Sequence, residues 1–258
     1  MATQFVCFRW GVMYPETYIE RLYKSIQKHF GYDFVFHCFT DKPLDIGPHV
    51  QQHDLCFGKP FSGNWNKERV FSKDFLNLAK DTNIVVMDID VLVTGNLNFI
   101  IEDHPDENLV MAPDKYHTRK GKVHGSVFRL KSGSMPYIWD DLIVQDYEKL
   151  KQDLGGEREQ KWLDRYLAVG SVMLFSGEKI VSFKYDCKSR GWSPLGKLAA
   201  KWGLTTSLWG KAELPLDARV VCFHGKPDIE DVADGRYYEW NHAPFINRTL
   251  KNIIHTND

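Results

Sequence analysis

Residues 84–93 read Ile-Val-Val-Met-Asp-Ile-Asp-Val-Leu-Val, so Asp88 and Asp90 stand one residue apart inside an otherwise apolar stretch. A short apolar run of this kind fits a fully buried strand. Asp88 falls where such a strand leaves the core, and Asp90 points the same way, because side chains along a strand alternate with period two. Two hard oxygen donors on one face suit a divalent cation with positions left open for a phosphate-bearing substrate. The plainer reading of the pair is a strand end followed by a solvated turn. A second group bears on the choice: Phe223-His224-Gly225-Lys226-Pro227 closes another apolar run. His224 can supply a nitrogen ligand to the same ion, Gly225 lets a diphosphate approach the backbone, and Lys226 adds a positive charge. With both groups at strand ends, the metal and phosphate reading outweighs the plain one.

Elements that would position these residues follow from periodicity. Phe5 to Phe8, Phe34 to Phe39 and Ile84 to Asp88 read as buried strands. Pro15 to Phe30 reads as a helix, with Pro15 suited to a first turn, Glu16 at the positive end and Gly31 as its stop. Asn66 to Lys80 reads as a second helix. This β-α-β-α-β order argues for a mostly parallel sheet with helices on both faces. Ligands bind such sheets beyond the carboxyl ends of the strands, where Arg9, Trp10, Gly11, Asp41, Asp88 and Asp90 all fall. Farther along, Leu109 to Ala112, Ser126 to Phe128, Ile180 to Tyr185 and Arg219 to Phe223 read as strands, and Pro136 to Lys151 and Glu157 to Val169 as helices. Residues 186–217, rich in Trp, Lys and Gly, are expected to form a lid. Residues 244–258 are expected to form an amphipathic helix, with Ile246, Leu250, Ile253 and Ile254 on one face.

The chain has 258 residues, of which 43 % are hydrophobic, enough for a sizeable core. Its net charge is −1 and no long basic run breaks that balance, so nucleic acid is not an expected partner. No apolar stretch is long enough to span a bilayer, and the amino terminus has no leader pattern. The expected location is the cytoplasm, with peripheral contact at the inner face of the membrane. The five cysteines form no CxxC pair and read as reduced thiols.

Taken in order, several segments resemble the GT-A nucleotide-sugar glycosyltransferases, most closely the glycogenin-like and related bacterial galactosyl- and glucosyltransferases. Arg9-Trp10-Gly11 with Tyr14 follows the first strand, as in members that read WG…Y there. Gly63-Asn64-Trp65-Asn66-Lys67 resembles a GWWNK segment. Asp88-Ile89-Asp90 matches the DxD strand, His124-Gly125-Ser126 the sugar-contacting Asn-Ser-Gly turn, and Glu159-Gln160 an Asp-Gln pair. Phe223 to Pro227 resembles the closing FHGxPKP segment. The chain departs from the pattern at His124, where the family has Asn, and at Glu159, whose carboxylate is one methylene longer than Asp.

The resemblance implies one GT-A domain over 1–258: an α/β, Rossmann-like, mixed but mostly parallel sheet flanked by helices. Its parts would be a nucleotide-binding half (5–112), a donor- and acceptor-closing half (113–243) and the terminal helix (244–258). It implies a hexosyltransferase, retaining in outcome, that moves a sugar from a UDP-linked donor to a glycan, lipid-linked or protein acceptor. Asp88, Asp90 and His224 would hold Mn²⁺ or Mg²⁺. Arg9, Trp10, Tyr14, Lys67, His124, Gly125, Ser126, Gly225 and Lys226 would bind the donor. Glu159 and Gln160 would be catalytic, Glu159 as a base in an inverting reaction or as a stabiliser of the oxocarbenium-like centre in a retaining one. Two other readings compete. Asp88 to Thr94 resembles the first motif of haloacid-dehalogenase-type phosphatases, for which Asp140-Asp141 is a poor acidic pair. A non-catalytic carbohydrate-binding protein could use the eight tryptophans as stacking platforms.

Overall fold

The computed structural model describes residues 1–55, 61–114, 123–156, 159–167, 172–187, 212–223, 225–235 and 243–254. The chain packs as two compact units. The first comprises 1–23, 32–89 and 98–175, and the second 24–31, 90–97 and 176–258.

The first unit is built on a seven-stranded sheet of order β3-β2-β1-β4-β7-β6-β8. Its strands are β1 (Thr3–Arg9), β2 (Phe34–Thr40), β3 (Val50–Asp54), β4 (Asn83–Met87), β6 (Leu109–Pro113), β7 (Val123–Lys131) and β8 (Met173–Leu174). β1, β2, β3 and β4 run parallel, β7 is antiparallel to both β4 and β6, and β8 is parallel to β6. The sheet is therefore mixed and mostly parallel. Every residue of β1 is buried, which is why it reads as a continuous apolar run rather than an alternation. α1 (Thr17–His29) starts where the carbonyls of Pro15 and Glu16 accept from Tyr18 and Ile19, and it carries Lys28 and His29 in its last turn.

The second unit has a three-stranded sheet of order β5-β10-β9, from β5 (Val91–Val93), β9 (Ile180–Ser182) and β10 (Val220–Cys222). β10 is antiparallel to β5 and parallel to β9. The terminal helix, Pro244–Ile254, buries Ile246 and Ile253 in this unit, and the Lys28 ammonium donates to the Asn252 carbonyl at 2.7 Å. No helix among the described residues is long and apolar enough to cross a membrane.

Four expected elements differ, and of these the helix expected over Glu157 to Val169 is helical among the described residues only over Glu159–Leu163. Asn66 to Lys80 is not an α-helix but a 3-10 helix over Gly63–Phe71 and a short turn over Phe75–Asn77, with Leu76 and Asn77 at positive φ. All of Trp65 to Phe71 is buried, so no solvent face exists to give the segment an amphipathic period. Pro136 to Lys151 divides into α3 (Pro136–Ile143) and α4 (Tyr147–Leu154), because Asp146 caps a new helix by accepting from the Lys149 amide at 3.1 Å. Ile180 to Tyr185 is a strand only to Ser182 and then turns helical over Phe183–Asp186. The lid expected over 186–217 lies largely outside the described residues, as do residues 255–258 and Cys56. None of the four described cysteines forms a disulfide, and all four are buried.

Candidate active site

In the first unit the carboxyl ends of β1, β2 and β4 gather the site. Arg9 ends β1 with its guanidinium buried. Nε and Nη2 donate to the Tyr14 carbonyl at 3.3 Å, and Nη1 lies 3.6 Å from Asp41 Oδ1. The other Asp41 oxygen accepts from the Gly11 amide at 2.8 Å. Asp41 thus ties the end of β2 to the loop after β1, and Gly11 supplies the positive φ of 65° which that turn requires. Trp10 is half-buried against the core, and the Tyr14 ring packs on Tyr18 with centroids 4.9 Å apart. Both aromatics are presented by a loop that Arg9 and Asp41 hold rigid.

Asp88 follows β4. Its amide donates to the Ser126 carbonyl at 2.8 Å, and one carboxylate oxygen is in close contact with the Lys67 ammonium. Lys67 is buried in the 3-10 helix, while the Asp88 side chain keeps 23 % of its surface exposed. The β6–β7 ladder slips between Met111, which pairs with Phe128, and Ala112, which pairs with His124. This irregularity throws Gly125, Ser126 and Val127 out of the β6 register, while Val127 stays paired with Met87 and the Ser126 carbonyl with the Asp88 amide; ladder breaks of this kind are common beside sites. His124 Nδ1 accepts from the Ser126 amide at 3.2 Å, which stiffens the turn. Gln160 Nε2 lies 3.5 Å from where a Cβ on Gly125 would stand, so the Gly125 turn and the Glu159–Gln160 pair meet in space.

One acidic residue here was not anticipated. Glu68, next to Lys67, is 1 % exposed, and its Oε2 has no hydrogen-bond partner. Burial foremost, and then the charge of Glu159, push its carboxyl well above the ordinary value, against a smaller pull from Lys67. Glu159 is buried as well. The signal in the sequence was a charged triplet, Lys67-Glu68-Arg69, between Trp65 and Val70-Phe71; a triplet of that kind reads equally well as a solvated face.

The second unit holds the remaining candidates. Cys222 pairs with Val91, so Asp90, which precedes Val91, and Phe223, which follows Cys222, lie at the same end of that ladder. Gly225 adopts a φ of 59°, and the Lys184 ammonium lies 4.0 Å from where its Cβ would be, a cation the motif reading missed. Lys226 donates to Asp228 at 2.6 Å and Asp231 at 2.9 Å, and those two carboxylates raise its pKa. His224 lies outside the described residues.

The Asp88 carboxylate, partly exposed at a strand end and paired with an ammonium, offers the hard oxygen that a divalent cation takes. Among the described residues no group of three or more His, Cys, Asp or Glu is close enough to hold a metal. Asp140 and Asp141, the acidic pair that a phosphatase reading would need, lie on α3, where Asp141 accepts from the Tyr166 hydroxyl at 2.6 Å.

No family model and no curated protein matches the chain by sequence. Solved structures do. The galactosyltransferase LgtC, in complex with donor and acceptor sugar analogues, is 13 % identical, with a TM-score of 0.59 over 97 % of this chain and 96 % of its own. The apo-form glycosyltransferase GlyE of Streptococcus pneumoniae is 16 % identical, with a TM-score of 0.57 over 98 % of this chain; the match spans 63 % of the length of GlyE. An active-site glutamine-to-glutamate mutant of LgtC matches 88 % of this chain and 89 % of its own, at 13 % identity and a TM-score of 0.57. The mixed sheet, its strand order and these likenesses give the chain the GT-A fold.

Proposed function

We propose that this protein is a metal-dependent glycosyltransferase that moves a hexose from a UDP-linked sugar to a glycan or lipid-linked acceptor, with retention at the anomeric carbon. The observation that carries the reading is the cluster at the end of β4: Asp88 paired with Lys67 and hydrogen-bonded to the displaced Ser126 turn, with Gln160 packed on Gly125. Likeness to glycosyltransferases of the same fold supports it.

Asp88, Asp90 and His224 would hold Mn²⁺, or Mg²⁺ in its place; the bound ion offsets the charge that grows on the departing diphosphate. The chain's own residues have separable duties. The Arg9–Asp41 tie fixes the loop that presents Trp10 and Tyr14 to a uracil ring. Lys67 holds the Asp88 carboxylate in place. Gly225, lacking a Cβ, lets phosphate oxygens approach the backbone, and Lys226 contributes a charge once it leaves Asp228 and Asp231. His124, Gly125 and Ser126 face the transferred sugar. Gln160 stands beside that turn to orient the anomeric centre, and Glu159 lies on the acceptor side. An active-site glutamine is what the LgtC mutant alters, which agrees with a role for Gln160.

The test is UDP release from UDP-galactose and UDP-glucose, with and without Mn²⁺, with the anomeric configuration of any product read by NMR. Donor hydrolysis or transfer that needs the metal is expected. An absence of UDP binding by calorimetry in both conditions overturns the reading, and inversion at the anomeric carbon overturns its stereochemistry.

A further inference from the structure

A cavity of about 390 Å³ opens at the carboxyl ends of β2 and β3, between the Thr40–Pro43 turn and Gln52, His53 and Asp54. That volume lies within the roughly 300–1,000 Å³ usual for small-ligand sites. It uses neither Asp88 nor Lys67, and β3 is the edge strand of the sheet. Much of its polar wall is spent on the protein itself. Gln52 accepts from the Leu44 amide at 2.9 Å and donates to the Leu44 carbonyl at 3.0 Å. The Thr40 hydroxyl donates to the Lys42 carbonyl at 2.9 Å, and Asp41 is held by Gly11 and Arg9.

His53 is different, because a relay across three strands decides which of its nitrogens carries the proton. Gln4 Nε2 donates to the Ala2 carbonyl at 2.8 Å, which fixes the amide: turned over, two oxygens would face each other. Gln4 Oε1 therefore accepts from His37 Nε2 at 2.9 Å, so His37 carries its proton on Nε2. His37 is buried and neutral, and its Nδ1 is left as an acceptor. His53 Nε2, 2.9 Å from that atom, must then be the donor. The proton of neutral His53 is consumed inside the sheet, and its Nδ1 carries a lone pair in place of a proton. The ring itself is stacked on Phe39, with centroids 4.8 Å apart, which holds its plane.

The ligand chemistry follows by elimination. The carboxylates Asp41 and Asp54 in the lining oppose an anion, and the Lys42 ammonium opposes a cation. Among the described residues no three His, Cys, Asp or Glu side chains gather to hold a metal, here or elsewhere. A neutral ligand that carries hydroxyl groups suits a wall of this composition: it donates to His53 Nδ1 and accepts from Lys42. We propose that this cavity is a binding site for a neutral carbohydrate, with His53 Nδ1 as the acceptor that the Gln4–His37 relay keeps unprotonated. The site stands whether or not the protein transfers sugar.

The experiment uses the full chain without nucleotide or metal. Long-range ¹H–¹⁵N NMR reads the His53 tautomer, and titration with glucose, galactose, N-acetylglucosamine, lactose and maltose reads binding. The expected results are an unprotonated Nδ1 and a His53 shift that saturates with at least one of these sugars. His53→Phe, which keeps the stacking on Phe39, is expected to weaken that binding at least tenfold. His53→Asn, whose amide oxygen can stand where Nδ1 was, is expected to restore most of it. A proton on Nδ1, no saturable shift with any of the five sugars, or equal binding by His53→Phe overturns the site. Saturable binding of Zn²⁺ at His53 in place of sugar also overturns it. Sugar binding here without any UDP-sugar turnover would leave this site standing and remove the transferase; turnover without sugar binding here would do the reverse.

Discussion

At the scale of single residues, the Lys67–Asp88 pair is asymmetric. The Lys67 side chain keeps 8 % of its surface exposed and that of Asp88 23 %. Removing the carboxylate takes a charge partner from a buried ammonium, whereas removing the ammonium leaves a carboxylate that water can reach. Breaking a buried pair from one side costs about 3–5 kcal/mol. Asp88→Ala is therefore expected to destabilise by about 3 kcal/mol and Lys67→Met by clearly less, with UDP release lost in the first variant. Urea unfolding checks the order, and equal costs would show that water screens both partners alike. Glu68 offers a second test at this scale. Burial, and then the charge of Glu159, disfavour its charged form, so its folded pKa lies above the unfolded one. The native state then binds the extra proton, and the stability it contributes is present below about pH 4.5 and falls as pH rises. Glu68→Gln keeps the neutral shape and removes the titration. Its melting temperature is expected to exceed wild type at pH 8 and to match it near pH 4; a variant less stable than wild type at pH 8 would contradict a raised pKa at Glu68.

At the scale of elements, β1, β2 and β3 are stitched by side chains as well as by their ladders. His37 sits between Gln4 and His53, and burial, with help from His53, lowers its pKa to about 4. A base whose folded pKa is depressed binds its proton more readily when unfolded. Stability is then full above about pH 6.5 and falls as pH drops toward 4. From this residue alone, wild type is expected to lose about 2 kcal/mol between pH 8 and pH 5, and His53, also lowered by burial, adds to the loss. Guanidinium unfolding across that range, compared with His37→Phe, checks it; parallel slopes would remove His37 as the cause. The break between α3 and α4 rests on one cap. Asp146→Ala removes the acceptor for the Lys149 amide and is expected to cost about 1 kcal/mol, while Asp146→Asn retains most of it.

For the whole molecule, ligand linkage is the direct reading of function. A ligand that binds only the folded chain stabilises it by about 2.7 kcal/mol at a hundredfold excess over Kd. UDP with Mn²⁺ is expected to raise the melting temperature, and UDP alone or Mn²⁺ alone to do so much less. Equal shifts with and without the metal would separate nucleotide binding from metal binding. Asp90→Ala is expected to abolish the difference without lowering the melting temperature of the free protein, since Asp90 is only half-buried.

The amino-acid sequence by itself determined the strands that carry the site. β1, β2 and β4 are buried on both faces, and a run of Phe, Val and Ile closed by a carboxylate has few other uses. It also marked Arg9, Asp41 and Asp88 as strand-end residues that could meet, while the Gly125 turn was singled out only by resemblance. What it could not determine lay where burial and polarity disagree. Lys67, Glu68 and Arg69 are buried, yet charged triplets ordinarily face water. Arg129 is fully buried because its guanidinium caps carbonyls of the segment from Ile100 to Glu107, and no local pattern announces partners more than twenty residues away. β3 is a polar edge strand whose residues Gln51 to Asp54 carry no apolar signal. The slip between β6 and β7 depends on β4 pairing with the same strand. Local chemistry decides which residues leave the core at a strand end. Only the packing of distant segments decides which charges meet a partner there, as Asp88 meets Lys67, and which are buried without water, as Glu68 is.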